Sequence, residues 1–128
     1  MNKFHIPGVI IGPGVSPQHY TKVASQIDLA PTLLGLMGIK SIHPMIGHDL
    51  RTLPESFEGR ALMQYGNNNA YMQGNDVVIH VPEKVAKQFS YRDKKLHVKE
   101  LDEGLAEIAR AHVLWPMYAY REKKYLYQ

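Results

Sequence analysis

The chain has 128 residues, 45% of them hydrophobic and 21% charged, the size and composition of one globular domain, which excludes a disordered tail. It contains no run of about 18 apolar residues, and Met1 to Pro7 has neither the apolar core nor the small-residue cleavage site of a secretion signal, so neither a membrane span nor an export signal is expected in this stretch. Fifteen bases against twelve acids give a net charge of only +3, with the signs interleaved as in Arg92-Asp93-Lys94-Lys95, and the absence of cysteine removes disulfides, thiolate zinc sites and cysteine nucleophiles while leaving the compartment open.

Gly8-Val9-Ile10-Ile11-Gly12 is a short unbroken apolar run closed by Gly-Pro-Gly, the pattern of a strand buried on both faces, as in a parallel sheet. After polar residues from Val15 to Ala24, the spacing of Leu29, Leu33, Leu36 and Met37 predicts a helix with one apolar face. Pro31 fixes where that helix begins, because a start at Ser25 would put the ring in the interior at a cost of about 3 kcal/mol. A start with Asp28 as N-cap makes Pro31 the third helical residue, where its missing N–H costs nothing, and lets the carboxylate accept from the free amides of the first turn. On that reading Asp28→Ala costs about 1 kcal/mol. Gly38 supplies the left-handed stop.

Ile39 to Glu58 reads as an irregular loop carrying His43-Pro44 and Gly47-His48-Asp49-Leu50. From Gly59 the texture changes. Arg60 to Tyr65, Ala70 to Gln73, Val77 to Val81, Phe89 to Tyr91 and Leu96 to Val98 read as short strands separated by Gly-, Asn- and Asp-containing turns, which predicts an antiparallel meander. Leu101, Leu105, Ile108 and His112 then recur at helical spacing, predicting a helix from about Leu101 toward Trp115, ended or kinked by Pro116. The two textures, 1–58 and 59–128, form one segment rather than two independent domains. The first half, with one strand and one helix, is too small to bury a core alone, and its strand calls for more parallel neighbours than this chain supplies. The chain reads as a portion of something larger.

His5-Ile6-Pro7-Gly8-Val9-Ile10-Ile11-Gly12-Pro13-Gly14, then Ser25-Gln26-Ile27-Asp28-Leu29-Ala30-Pro31-Thr32-Leu33-Leu34-Gly35-Leu36-Met37-Gly38, then Gly47-His48-Asp49-Leu50 resemble, in that order, the C-terminal part of the sulfatase family within the alkaline phosphatase superfamily. Within that family the resemblance is strongest to the branch of lipoteichoic acid synthases and phosphoglycerol transferases. It is dense over roughly the first 50 residues, where the family has a P-x-x-I-x-G-P-G strand, a D-x-x-P-T-L-L helix and a G-x-D-L loop. Beyond them only the general layout agrees. The resemblance implies an α/β fold, α+β as an isolated fragment: the C-terminal portion of an alkaline-phosphatase-like sandwich, with a buried strand, a capped helix, a small antiparallel sheet and a C-terminal helix. It also implies a metal-dependent parent acting on sulfate or phosphate esters, in which a divalent ion (Mn, Mg, Ca or Zn) polarises ester oxygens and lowers the pKa of the nucleophile.

The family's nucleophile motif and Asp-His-Gly metal motif lie upstream of the matching region, and this chain contains no Asp-His pair. The chain alone is therefore expected to be inactive, with no catalytic residue, metal ligand or cofactor of its own. The one residue assigned toward substrate is His5, which precedes the strand where sulfatase-like enzymes carry a basic residue at the active-site rim; the plainer reading is a polar residue at a strand start. Asp28 is explained by capping. His43, His48 and Asp49 would bind zinc or nickel only if His5 or His19 joined them, and their spacing matches no metal motif. His80 and His97 read as sheet residues and His112 as a packing residue on the helix stripe.

The tail with Trp115, Tyr118, Tyr120, Arg121, Lys123, Lys124, Tyr125 and Tyr127 admits a nucleic-acid reading, but so small a net charge gives little counterion-release drive, and tyrosines packed on the sheet with lysines in water explain it equally. The expected partners are the remainder of a parent catalytic domain and, for the isolated chain, further copies of itself through the exposed strand. No nucleic acid is expected, and a membrane only through an upstream anchor. The family implies an extracytoplasmic place, periplasmic or membrane-anchored. The alternative from another class is a non-catalytic binding or interaction module derived from the same fold.

Overall fold

The computed structural model describes residues 4–126. A helix α1 (Leu29–Leu36) is entered through one 3-10 turn, Gln26–Asp28. Five strands follow, β1 (Arg60–Tyr65), β2 (Asn68–Gln73), β3 (Asp76–His80), β4 (Lys87–Arg92) and β5 (Lys95–Lys99), and the long helix α2 (Glu103–Arg121) closes the order. The strands form one antiparallel sheet in sequence order, β1-β2-β3-β4-β5, the meander that the turn residues foretold.

The turns set the register. β1 and β2 meet across Gly66-Asn67, and β2 and β3 across Gly74-Asn75. In both, glycine holds the first central position at positive φ, +57° and +54°, as tight hairpins of this hand require. β4 and β5 turn through Asp93-Lys94, where both residues are left-handed with φ of +50° and +62°. The ladders then place Leu62 opposite Tyr71, Tyr71 opposite Val78 and Val78 opposite Gln88. Side chains alternate along a strand, so these four share one face.

α2 covers that face. Tyr71 and Val78 pack with Ala106 and Ala109 as the buried core, flanked by Leu62, Ala86, Leu101 and Leu105. The small alanines let the helix approach the sheet, and the His112 ring lies 4.9 Å from that of Tyr71. The helix start is fixed by two bonds: the Asp102 side chain accepts from Leu105 N at 3.0 Å, and the Asp102 N–H donates to Oε1 of buried Gln88 at 2.7 Å. The helix also runs on through Pro116 to Arg121 instead of stopping near Trp115. Proline removes one intrahelical donor, and beyond it the ladder resumes, with Glu122 N donating to Tyr118 O at 2.9 Å.

Two expectations for the first third need correction. Gly8 to Gly12 forms no strand, and Val9 and Ile11 are 80% and 91% exposed rather than buried. No other strand of the described residues lies beside this segment to share a ladder. The apolar stripe of α1 is only partly covered, with Leu29 and Met37 more than half exposed and Leu33 and Leu36 half-buried, whereas the buried helix positions are Pro31 and Thr32. The end of α1 follows expectation: Gly38, at φ +70°, donates to Gly35 O at 3.1 Å, and Ile39 N reaches Leu34 O at 2.9 Å, a left-handed stop that satisfies two terminal carbonyls.

Lys94 carries a side chain in a left-handed conformation that glycine adopts without penalty. Lys94→Gly is expected to raise stability by about 0.5–1 kcal/mol, read as a higher urea midpoint with an unchanged m-value.

Candidate functional site

Local sequence brings Asp28 to the end of the 3-10 turn, one residue before α1. Its carboxylate does not cap the first turn of α1, which corrects the capping role inferred from Pro31. One oxygen, Oδ2, turns back to accept from Ser25 N at 2.9 Å. The other, Oδ1, accepts from His48 N at 2.8 Å and faces Arg60 Nη2 at 3.4 Å. Asp28 and Arg60 are 2% and 3% exposed. This is a buried ion pair joining the helix, the Gly47-His48 loop and the first residue of β1.

Thr32, one turn on, completes the junction. Its hydroxyl donates to Asp28 O at 2.6 Å and accepts from Leu50 N at 3.1 Å. Arg60 Nη2 also donates to Ile46 O at 2.6 Å. Gly47 is required for the approach, since a Cβ there would run into the backbone of Ile27. Gly59, at φ +84°, lies so close to Val23 that a Cβ would strike its backbone, and the two residues form an isolated parallel bridge. The G-x-D-L loop and the D-x-x-P-T helix are therefore two halves of one packing contact.

The His48 ring stands edge-on to Phe57 at 5.3 Å between centroids, with Nδ1 4.0 Å from Asp28 Oδ1. A carboxylate at that distance favours imidazolium, yet desolvation and the neighbouring Arg60 charge outweigh it and hold the His48 pKa below the usual histidine value. Asp49 is engaged by Arg51, whose Nη2 and Nε donate to its two oxygens at 2.7 and 3.0 Å, and this holds its carboxyl below the ordinary range. Both carboxylates of the region are thus committed to arginines.

Among the described residues no three of His, Asp and Glu approach closely enough to hold a metal ion. His43, His48 and Asp49 are not joined by His5 or His19, both of which are exposed. The divalent ion implied by the family resemblance thus does not fit this chain's own residues. His80 and His97 lie in β3 and β5, and His112 Nδ1 is 2.9 Å from Ile108 O on its own helix. A hollow of about 350 Å³ on the sheet face opposite α2 is lined by Phe4, Met63, Ala70, Val77, Ile79 and Leu96 among others. It is apolar, and no acid, base or nucleophile pair converges on it. Sequence reasoning missed Arg60, whose only signal is an arginine opening a strand directly after a glycine.

No family model matches the chain. Among solved structures it is similar to a protein in the alkaline phosphatase superfamily from Vibrio parahaemolyticus, with a TM-score of 0.85 and 31% identity over 92% of this chain. The chain spans 29% of the length of that protein. The likeness supports the superfamily, and the mixed α/β architecture with its five-stranded antiparallel sheet and final helix matches part of an alkaline-phosphatase-like protein.

Removing one partner of a buried ion pair strands the other charge, so Asp28→Ala is expected to cost about 3–5 kcal/mol rather than the ~1 of a lost cap. The double variant Asp28→Ala/Arg60→Met should be less destabilised than the sum of the singles in urea unfolding. For His48 the folded pKa lies below the unfolded one, so the unfolded state binds more protons as pH falls below about 6.5. Stability is expected to drop through that window, and His48→Asn should remove that part of the slope in a pH series of midpoints.

Proposed function

We propose that this chain is the C-terminal structural portion of a metal-dependent sulfatase-like hydrolase or phosphoglycerol transferase acting on sulfate or phosphate esters. The carrying observation is the likeness over 92% of this chain to 29% of a much longer alkaline phosphatase superfamily protein. The finer branch rests on the strand, helix and loop motifs read from the sequence. On this reading the nucleophile and the divalent ion belong to the remainder of the catalytic domain, and the isolated chain is inactive. The parent acts outside the cytoplasm.

The exposure pattern supports the reading physically. Uncovered apolar residues of the first third include Ile6, Val9 and Ile11 and, at α1, Leu29 and Met37, and apolar sides of this kind are what a larger sheet sandwich covers. Seated there, His5 would stand where that stretch meets the main sheet and contribute a basic group to the rim of the substrate cleft.

Two measurements test this. The isolated 128-residue chain should show no turnover of aryl phosphate or aryl sulfate esters with Mn²⁺, Mg²⁺, Ca²⁺ or Zn²⁺, and metal-dependent turnover abolished by chelator would overturn the reading. In sedimentation velocity it should self-associate with rising concentration, and Val9→Asp/Ile11→Asp should restore a monomer. A strictly monomeric wild type with Val9 to Ile11 protected from hydrogen exchange would favour the self-contained binding module.

A further inference from the structure

The sheet with α2 has an apolar core of its own, and residues 4–58 join it through polar links. The core, Tyr71, Val78, Ala106 and Ala109 with its flank of Leu62, Ala86, Leu101 and Leu105, lies wholly within 59–128. Between residues 4 and 58 the buried residues are Asp28, Pro31 and Thr32, and Phe4, which lines the hollow on the far sheet face, is itself 38% exposed. The bonds between the two parts run from Arg60 Nη2 to Asp28 Oδ1 and Ile46 O, and from Leu62 N to Ser25 Oγ at 3.3 Å, beside the Val23–Gly59 bridge. Segments that bury few apolar contacts open at lower free energy than the core, so this joint is the part of the molecule a change of charge reaches first.

His48 stands inside the joint. Its backbone N–H donates to Asp28 Oδ1, but its ring Nδ1 is buried without a protein partner among the described residues and lies 4.0 Å from that oxygen, beyond hydrogen-bond reach. The charged and titratable groups facing the ring come from three elements: Arg60 from β1, Asp28 from the 3-10 turn and His112 from α2. Asp49, next to it on the loop, is taken up by Arg51. Tyr20 faces Asp28 and keeps its proton, because burial first and that carboxylate second raise its pKa. At neutral pH one carboxylate therefore balances one guanidinium, and in acid the His48 and His112 imidazoliums join Arg60 around that same carboxylate.

We propose that His48 is the acid release of this joint: protonation of its ring frees residues 4–58 from the sheet while the sheet and α2 remain folded. The new Nδ1–H has Asp28 Oδ1 to turn to, where the His48 N–H and Arg60 Nη2 already stand. Displacing Arg60 strands a guanidinium whose Nε and Nη1 are already buried without a protein partner among the described residues, a costly arrangement. Opening accommodates the proton instead. Desolvation and Arg60 hold the closed-state pKa below the ordinary histidine value, so the open state takes up the proton and opening grows as pH falls below about 6.5. The loss of stability in acid thus begins as detachment of one part of the chain, ahead of global unfolding.

Hydrogen exchange of the 128-residue chain, followed by mass spectrometry at micromolar concentration and expressed relative to intrinsic rates, separates the two parts. The amides of Ser25, His48 and Leu50 bond Asp28 and Thr32. From about pH 7.5 to about pH 5.5 they should lose about tenfold in protection, while those of β2 and β3 keep theirs. His48→Asn should keep protection level across that range, and where its loop is already open at the upper pH, His48→Gln is the variant read. Equal protection of the wild type at both pH values overturns the proposal. So does simultaneous loss in β2 and β3, which makes the transition global, or a fall that survives replacement of His48, which assigns it to His112 or to a carboxylate. A loop open at the upper pH in both variants also overturns it, since the ring is then a packing group alone.

Discussion

The attachment of the first third of the molecule to the sheet centres on one carboxylate, with the Val23–Gly59 bridge, Arg60 Nη2 on Ile46 O and Leu62 N on Ser25 Oγ beside it. Asp28 is removed from water, and the desolvation this entails is offset only because each of its oxygens accepts a backbone N–H and one of them also faces a guanidinium. Those donors come from residues 3, 20 and 32 positions away. The 3-10 turn, the Gly47 loop and the start of β1 therefore have their mutual position fixed by satisfaction of one charge. Gly47 and Gly59 are consequences of that closeness, since both meet backbone where a Cβ would stand. Arg60 is less completely served: its Nε and Nη1 are buried without a protein partner among the described residues, so the pair specifies geometry more than it adds stability.

A second polar link does for α2 what Asp28 does for α1. Gln88 lies on the same sheet face as Tyr71 and Val78 and is buried, and its amide oxygen takes the N–H of Asp102. The helix start is set by hydrogen-bond geometry, and alanines rather than bulky residues fill the interface behind it. The core is correspondingly small. Nonpolar contact determines that a helix covers this face, while the Gln88 bond determines where along the face the helix begins.

How much of this was legible in the sequence follows from the range of the interactions. Hairpin register depends on two residues between strands, so Gly66, Gly74 and Asp93-Lys94 announced the meander. The end of α1 is equally local, as is the proline that fixes its start. Asp28 was misread because its capping role is a local inference, whereas His48 and Arg60 are remote in sequence and no periodicity connects them. The apolar run of Val9 to Ile11 was read as a buried strand, whereas it forms no strand and Val9 and Ile11 are exposed, because an apolar run reports a preference for burial and does not itself supply a partner. The sequence left open whether Pro116 ends or only kinks the helix, and α2 continues because proline removes a single bond and the following turn restores the ladder.

The polar groups of the junction are engaged with one another. A catalytic carboxylate needs a free lone pair, and a metal site needs several ligands converging on one point. Here Asp28 and Asp49 direct their oxygens to Arg60, Arg51 and backbone amides, the His48 pKa is lowered by burial and by Arg60, and His112 is turned to its own helix. The titratable groups of the junction thus act on position. The motifs that most resemble an ester-cleaving family are in this chain the ones most engaged in folding, so the resemblance travels with architecture. What the structure shows is a junction that holds the start of β1, the helix and the Gly47 loop together, with exposed apolar residues at Val9, Ile11, Leu29 and Met37 beside it.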